Sequence, residues 1–372
     1  MIFKGEIMWK TIRPDASSIW DFDEVKDILA RYRAILDKKK LAKYLIFKKI
    51  PINIDLENAL KEDLWNIHTK IQKKVITGEY IKTYSRKTAI NNGASSYLDL
   101  KIELLRRIME NCHLCERNCQ VNRLKNEKGN CNVPKFGKIY SAHLHFGEES
   151  PLVPSGTIFF TGCSFDCVFC QNYDISTNPS SGSQITPKRL AAVANSLARD
   201  EGAKNINYVT PLPHVYAIVA SLKYQTANIA QLWNSNHYCS KDTIDIIADL
   251  FDIWLPDFKY GNDECALKLS NATKYWETLT RNFESIYKNG EIIVRHLVMP
   301  GHIKCCTKPI LEWISKHTPN VLVNIMAQYR PAHLVLKNKQ KYQKIARRPS
   351  QKELNTAKNY AKDLGIFWEA IS

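Results

Sequence analysis

Three cysteines stand within eight residues of the stretch FFTGCSFDCVFCQNYDIS, at Cys163, Cys167 and Cys170, directly behind a short apolar run. Three thiolates on one loop are one fewer than a closed tetrahedral metal site needs. Iron–sulfur clusters are held by cysteine thiolates, ordinarily four for a four-iron cluster. Three would hold three irons and leave the fourth with an open position, which a small molecule bearing adjacent amino and carboxylate groups could chelate. A catalytic zinc with three protein ligands and a water is the competing metal reading, although such sites usually include histidine or carboxylate. Three unligated core cysteines are the bland alternative, but close cysteine sets behind a strand rarely serve packing alone.

A second group lies upstream. CHLCERNCQVNRLKNEKGNC places Cys112, Cys115, Cys119 and Cys131 close together, with Gly129 before the last to ease a tight approach. Four thiolates close a tetrahedral zinc site, and they equally hold an iron–sulfur cluster. The cluster is preferred, with zinc kept as the alternative. His113, between two of the cysteines, reads as a bystander. The remaining cysteines, Cys239, Cys265, Cys305 and Cys306, read as small buried hydrophobes.

Such clustering in a chain of 372 residues favours metal ligation in a reducing compartment over a disulfide framework. No apolar stretch approaches the ~20 residues of a membrane span. The first residues, MIFKGEIMWKTIRPD, lack the apolar core and cleavage site of a signal peptide, so a cytoplasmic location and no membrane partner are expected. The net charge of +16 raises the question of nucleic acid. Its clearest run, Lys337 to Arg348, has six basic residues and no acid. A solvated loop accounts for that run as well as phosphate contact does, so nucleic acid is admitted as a partner without being favoured.

The elements that must position these thiols follow from periodicity. Apolar spacing predicts helices over 23–45, 56–75 and 97–110, with a loop at 87–96 between the last two. From about residue 155, β-branched runs predict strands at TIFFT, NINYV, NIAQLW, DIWLPD, EIIVRHLV and VLVNIM. Helical periods separate most of them, as in PKRLAAVANSLARDEG, HVYAIVASLKYQ, SKDTIDIIADL and KPILEWISKH. The alternation predicts an α/β fold with a parallel sheet. Six units are too few for a closed eight-stranded barrel and suit a partial (β/α)6 barrel, with chemistry at the carboxyl ends of the strands. Three regions result: a helical basic N-terminal extension over 1–108, a cysteine-rich lead-in over 109–150 and the barrel over 151–372.

With the aromatic Phe169 before its last cysteine, SGTIFFTGCSFDCVFCQNYDIS resembles the signature of the radical S-adenosylmethionine (SAM) superfamily. More closely it is similar to the uncharacterised iron–sulfur proteins related to pyruvate formate-lyase-activating enzyme. The likeness runs in order through CHLCERNCQVNR, HLHFGEESPL, NINYVTPLPHV, DIWLPDFKYGN, VRHLVMPG and NIMAQYRPAH, over roughly residues 110 to 370. It implies that Cys163, Cys167 and Cys170 hold a four-iron–four-sulfur cluster whose open iron binds SAM. It further implies reductive cleavage of SAM to a 5′-deoxyadenosyl radical that abstracts hydrogen from a substrate. A second metal centre at the four-cysteine group would be an auxiliary iron–sulfur cluster or zinc, and a reducing electron donor is required. The activating enzymes carry a Gly-Gly-Glu motif where this chain reads NINYVTP, so Asn205, Asn207 and Thr210 are the replacement candidates. Asn234, Ser235, Asp257, Lys259, Arg295 and His296 complete the candidate cofactor-binding set, the last two expected to face the same cavity. No catalytic residue that would meet the substrate stands out. Activation of a partner protein is the leading function, with modification of RNA or of a small metabolite as alternatives. The alternative from another class is a non-catalytic iron–sulfur or zinc scaffold.

Overall fold

A computed structural model describes residues 11–87, 94–368 and 371. Among the described residues, β1 (Pro51–Ile52) and β2 (Ser95–Ser96) form a small antiparallel ribbon. Eight further strands make one sheet. They are β3 (Lys138–His145), β4 (Ser155–Phe160), β5 (Ser183–Gln184), β6 (Asn205–Val209), β7 (Ala230–Ser235), β8 (Ile253–Pro256), β9 (Glu291–Leu297) and β10 (Leu322–Met326). Their order is β10-β9-β8-β7-β6-β4-β3-β5.

The six parallel strands are the six apolar runs read from the sequence, each within a few residues of its expected bounds. Strands covered on both faces read as continuous apolar segments, which is why they are easy to find. Each parallel strand pairs with the one before it in the parallel series, so the β/α units wind one way around an arc. That is the order of an opened barrel. Among the described residues no pairing joins β10 to the other end.

Two strands of this sheet were not expected, nor was the β1–β2 ribbon. β3, from the cysteine-rich lead-in, pairs antiparallel with β4 along its length, and β5 pairs with β3. The helices at 187–199, 215–221, 241–247 and 308–317 match the expected periods. In the N-terminal region, Tyr97–Ile108 forms as expected, started by a capping box in which Ser96 and Asp99 satisfy each other's backbone N–H. The single helix expected over 23–45 is instead three, Asp23–Ile28, Ala30–Leu36 and Lys43–Phe47. Lys38, at φ 60°, helps turn the chain between the last two. The expected loop at 87–96 lies largely outside the described residues.

The break lets the chain start serve the barrel. Ile19, Val25, Leu29, Tyr32 and Ile35 share one apolar cluster with Ala230, Leu232, Ile253, Leu255, Ile293 and Leu322. The sheet residues of that cluster sit two apart along β7 and β8, so they occupy one face, the inside of the arc. Ile206, Trp233, Trp254, Ile292, Val294 and Val323 belong to the cluster on the other face, under the helices. Residues 16–36 thus plug the floor of the half barrel. No helix among the described residues is long and apolar enough to cross a membrane.

Candidate active site

The carboxyl ends of the parallel strands surround a cavity of about 410 Å³. β4 ends at Phe160, and the loop behind it brings Cys163, Cys167 and Cys170 into the cavity wall. Gly162 makes this loop possible. Its φ is +78°, and a Cβ there would lie 2.6 Å from Val133 Cγ2 and 2.9 Å from the Cys131 carbonyl oxygen. Phe169 packs edge-on against Tyr329 and pins the loop from behind.

Each sulfur has a polar neighbour that the sequence did not announce. Cys163 Sγ accepts from the Phe165 amide at 3.4 Å and from Asn236 Nδ2 at 3.7 Å. Ser270 Oγ donates to Cys167 Sγ at 2.9 Å, and Ser176 Oγ lies 3.4 Å from Cys170 Sγ. Burial pushes the Cys163 thiol far up and the Cys167 thiol to about 11. Ionising both is unfavourable without a bound cation, and such hydrogen-bonded thiols suit a multiply charged metal centre.

Facing the cysteines are Asn234 and Ser235 at the end of β7, Thr210 beyond β6, and Asp257 and Lys259 beyond β8. Lys259 Nζ donates to Asp257 Oδ2. The isolated Asp257–Arg295 bridge keeps the β8–β9 register three residues beyond the last ladder pair, Trp254 and Ile292. Arg295 lies among three carboxylates: Glu149 Oε1 at 3.6 Å, Asp257 Oδ1 at 3.7 Å and Glu148 Oε2 at 3.8 Å. Its Nη1 also donates to Asn234 Oδ1 at 3.4 Å. Burial opposes the arginine charge, but Glu149, Asp257 and Glu148 more than offset this and raise its pKa.

Glu148 and Glu149 are the residues that sequence reasoning missed. They lie in the quoted HLHFGEESPL motif, yet nothing in the local pattern says that they turn inward. Glu148 Oε1 accepts from Asn207 Nδ2 at 2.9 Å, and Glu149 Oε1 from Asn324 Nδ2 at 2.8 Å. Burial lifts Glu148 to about 7, with Arg295 pulling it down and Glu149 adding to the rise.

Three expected cofactor-binding residues do not line the cavity. His296 follows Arg295 on β9, so strand alternation turns it to the opposite face. There its Nδ1 lies 2.8 Å from the Phe258 carbonyl and its Nε2 2.9 Å from Thr307 Oγ1. The expectation that both residues face one cavity is corrected accordingly. Asn205 begins β6, at the floor end, where its Nδ2 donates to Tyr32 and to the Leu152 carbonyl. Asn207 lies one layer higher, beneath the cavity, and supports Glu148.

The four-cysteine group adjoins this site. Cys112, Cys115, Cys119 and Cys131 line a small void whose walls also include Ser164, Leu212 and Pro213, residues that border the main cavity. Arg117 Nε, from the four-cysteine loop, donates to the Ser164 carbonyl at 2.9 Å. Asn130 N–H donates to Cys119 Sγ at 3.3 Å, and Gly129 leaves room for that sulfur, since a Cβ there would lie 2.8 Å from it. The buried Arg123 also lines the void, and its Nε has no hydrogen-bond partner among the described residues. His113 is turned away, hydrogen-bonded to Asn111 and Asp242.

Fold and site together define a β/α half barrel with a three-thiolate centre at its strand ends. Sequence comparison with known proteins agrees. The sequence profile of the Radical SAM superfamily matches residues 157–314. The uncharacterized protein MJ0674 of Methanocaldococcus jannaschii is 38% identical over 352 residues, covering 90% of this chain and 98% of its own. The uncharacterized protein MJ0808 of the same organism is 28% identical over 188 residues, 44% of this chain and 53% of its own. Among solved structures, Streptococcus suis SuiB bound to precursor peptide SuiA matches with a TM-score of 0.38 at 13% identity. A radical SAM methyltransferase from Sphaerobacter thermophilus matches with a TM-score of 0.40 at 14% identity. These matches cover 83% and 57% of this chain, and the chain spans just under two thirds, 65%, of each solved one. The chain belongs to the radical SAM superfamily. The match to MJ0674 reaches well into the first hundred residues, further than the motifs alone extend.

Membership implies a four-iron–four-sulfur cluster and SAM. The donors present fit them: three cavity-facing sulfurs for the cluster, and polar and charged groups opposite for an amino acid and a ribose.

Proposed function

We propose that this radical SAM enzyme abstracts hydrogen from a partner polypeptide, in the manner of an activating enzyme. The observation that carries the radical reading is the placement of Cys163, Cys167 and Cys170 across one cavity from Asp257, Lys259 and Arg295. When bound, the cluster and SAM supply one-electron cleavage of the sulfonium to methionine and a 5′-deoxyadenosyl radical. The chain's residues position that chemistry. Lys259 and Arg295 offer cations to a carboxylate, Asp257 and Asn234 accept from amino or hydroxyl groups, and Phe159, Phe160 and Phe169 keep water from the cysteine wall.

The size of the cavity supports a polypeptide substrate. At about 410 Å³ it sits toward the small end of ligand pockets, about 300–1,000 Å³. SAM fills much of such a space, so the hydrogen donor enters from the mouth, as an extended backbone can. The four-cysteine group is proposed to hold an auxiliary iron–sulfur cluster that passes electrons from a reducing donor. One observation supports this: the group shares walls with the main site.

The test begins with 5′-deoxyadenosine formation after anaerobic reconstitution and dithionite reduction. Product from the wild type and none from Cys167→Ala is the expected result; none from either, with the cluster intact, removes the radical assignment. For the substrate, an extract of native host cells grown in deuterated medium is split by ultrafiltration. Deuterium reaching 5′-deoxyadenosine from the protease-sensitive retained fraction supports a polypeptide. Label from the filtrate, or from a ribonuclease-sensitive fraction, points to a metabolite or an RNA instead.

A further inference from the structure

Three of the four scattered cysteines are not scattered in space. Cys265 comes from the helix Asp263–Ser270, beyond β8, while Cys305 and Cys306 lie in a π-helical turn, Ile303–Thr307, beyond β9. His302 immediately precedes that turn. One potential ligand atom from each of Cys265, His302 and Cys305 lies within 4.8 Å of the other two. Among the described residues this is the one set drawn so tight. Cys265 Sγ and Cys306 Sγ each lie 3.9 Å from Cys305 Sγ. A zinc–sulfur bond of about 2.3 Å sets a tetrahedral sulfur–sulfur edge of about 3.8 Å.

The surroundings are built to hold these groups. His302 Nδ1 is 2.9 Å from the Pro300 carbonyl, and donating to it leaves the lone pair on Nε2, the arrangement usual for a ligating imidazole. Asn262 ties both sides together: its Nδ2 donates to the Cys305 carbonyl at 2.8 Å, and its Oδ1 accepts from the Cys265 amide at 2.8 Å. Gly261 admits the turn, for a Cβ there would lie 2.6 Å from the Cys305 carbonyl oxygen.

We propose that Cys265, His302 and Cys305 bind one zinc ion, with Cys306, which lies outside that set but 3.9 Å from Cys305, turning in as the fourth ligand. Binding releases three thiol protons to solvent and leaves the site with one net negative charge. Lys268 and Lys344, whose charges reach His302, partly balance it. The ion fastens the segment that carries Asp257 and Lys259 to the turn beyond β9. Its role is to hold one wall of the cavity, and it does not depend on which substrate the enzyme takes.

The test uses tag-free holoprotein purified anaerobically. Zinc K-edge X-ray absorption is expected to show about one zinc per chain in a shell of three sulfurs and one nitrogen. Cys265→Ser and His302→Ala are expected to lose most of that zinc while keeping their iron. Absence of zinc from the wild type, a four-sulfur shell, or zinc retained in both variants overturns the proposal. So does a Cys265–Cys305 disulfide found by mass spectrometry in the same preparation. The absorption measurement needs only the wild type, so it decides the question even where a variant folds poorly.

Discussion

Asn324, on β10, donates its Nδ2 hydrogen to Glu149 Oε1 at 2.8 Å, joining the last parallel strand to the segment that leads into the first. The backbone ladder does not make this connection; a side chain does. Glu149 Oε2 has no hydrogen-bond partner among the described residues. Asn324→Leu would strip the buried carboxylate of its amide donor, at a cost of about 1–3 kcal/mol. A lowered denaturant midpoint with unchanged slope is the expected reading; an unchanged midpoint would show that this bond does not help hold the ends of the arc.

Arg295 is the counter-ion to three carboxylates at once. Arg295→Leu leaves Glu148, Glu149 and Asp257 facing each other, which calls for a loss of about 3–5 kcal/mol. Adding Glu149→Gln should recover part of that loss, and Arg295→Lys should lose less than Arg295→Leu. Equal midpoints for Arg295→Leu and Arg295→Lys would mean that charge is not what Arg295 contributes.

Gly162→Ala tests the link between the two cysteine groups. The added methyl meets Val133 and the Cys131 carbonyl in a backbone conformation with φ of +78°. Iron analysis after reconstitution should show a loss at both groups, greater than from Cys119→Ala, which affects one. Full iron in Gly162→Ala would contradict the close packing described.

The pH dependence of stability has opposing parts. Burial holds His214 near 3 and His237 and His296 near 4, so these rings stay neutral in the folded chain. The unfolded chain protonates them near 6.5, so their contribution is intact above that pH and is lost as the pH falls below it. Each costs about 1.4 kcal/mol per pH unit in that range. Glu148 and Glu291, both lifted to about 7 chiefly by burial, act the other way. Their charged forms are disfavoured in the folded state, so that cost is relieved as the pH falls from about 7 to their unfolded value. Three rings outweigh two carboxyls, and denaturant midpoints should fall between pH 6.5 and 5. Midpoints that rise over that interval would show that the carboxyls dominate.

Much of this site could be read from the chain. The triad announces itself because its ligands lie on one loop, and the strands because they are buried on both faces. What was lost is what depends on phase or on distance along the chain. Arg295 and His296 look equivalent until alternation sends one inward and the other out. Glu148 meets Arg295, and Cys265 meets Cys305, only after crossovers that no local pattern encodes. The first hundred residues read as an appendage because amphipathic helices do not say what they will cover.

That cover has a cost in time. The plug at residues 16–36 is synthesised well before Leu322 of β10, which lies in the same cluster. At roughly 5–20 residues per second, the plug's apolar side waits for the strands that complete its cover. A fragment trimmed to residues 157–314 would have neither floor nor final strand. The plug therefore needs shielding until those covering strands have been made, and they then provide that shield from within.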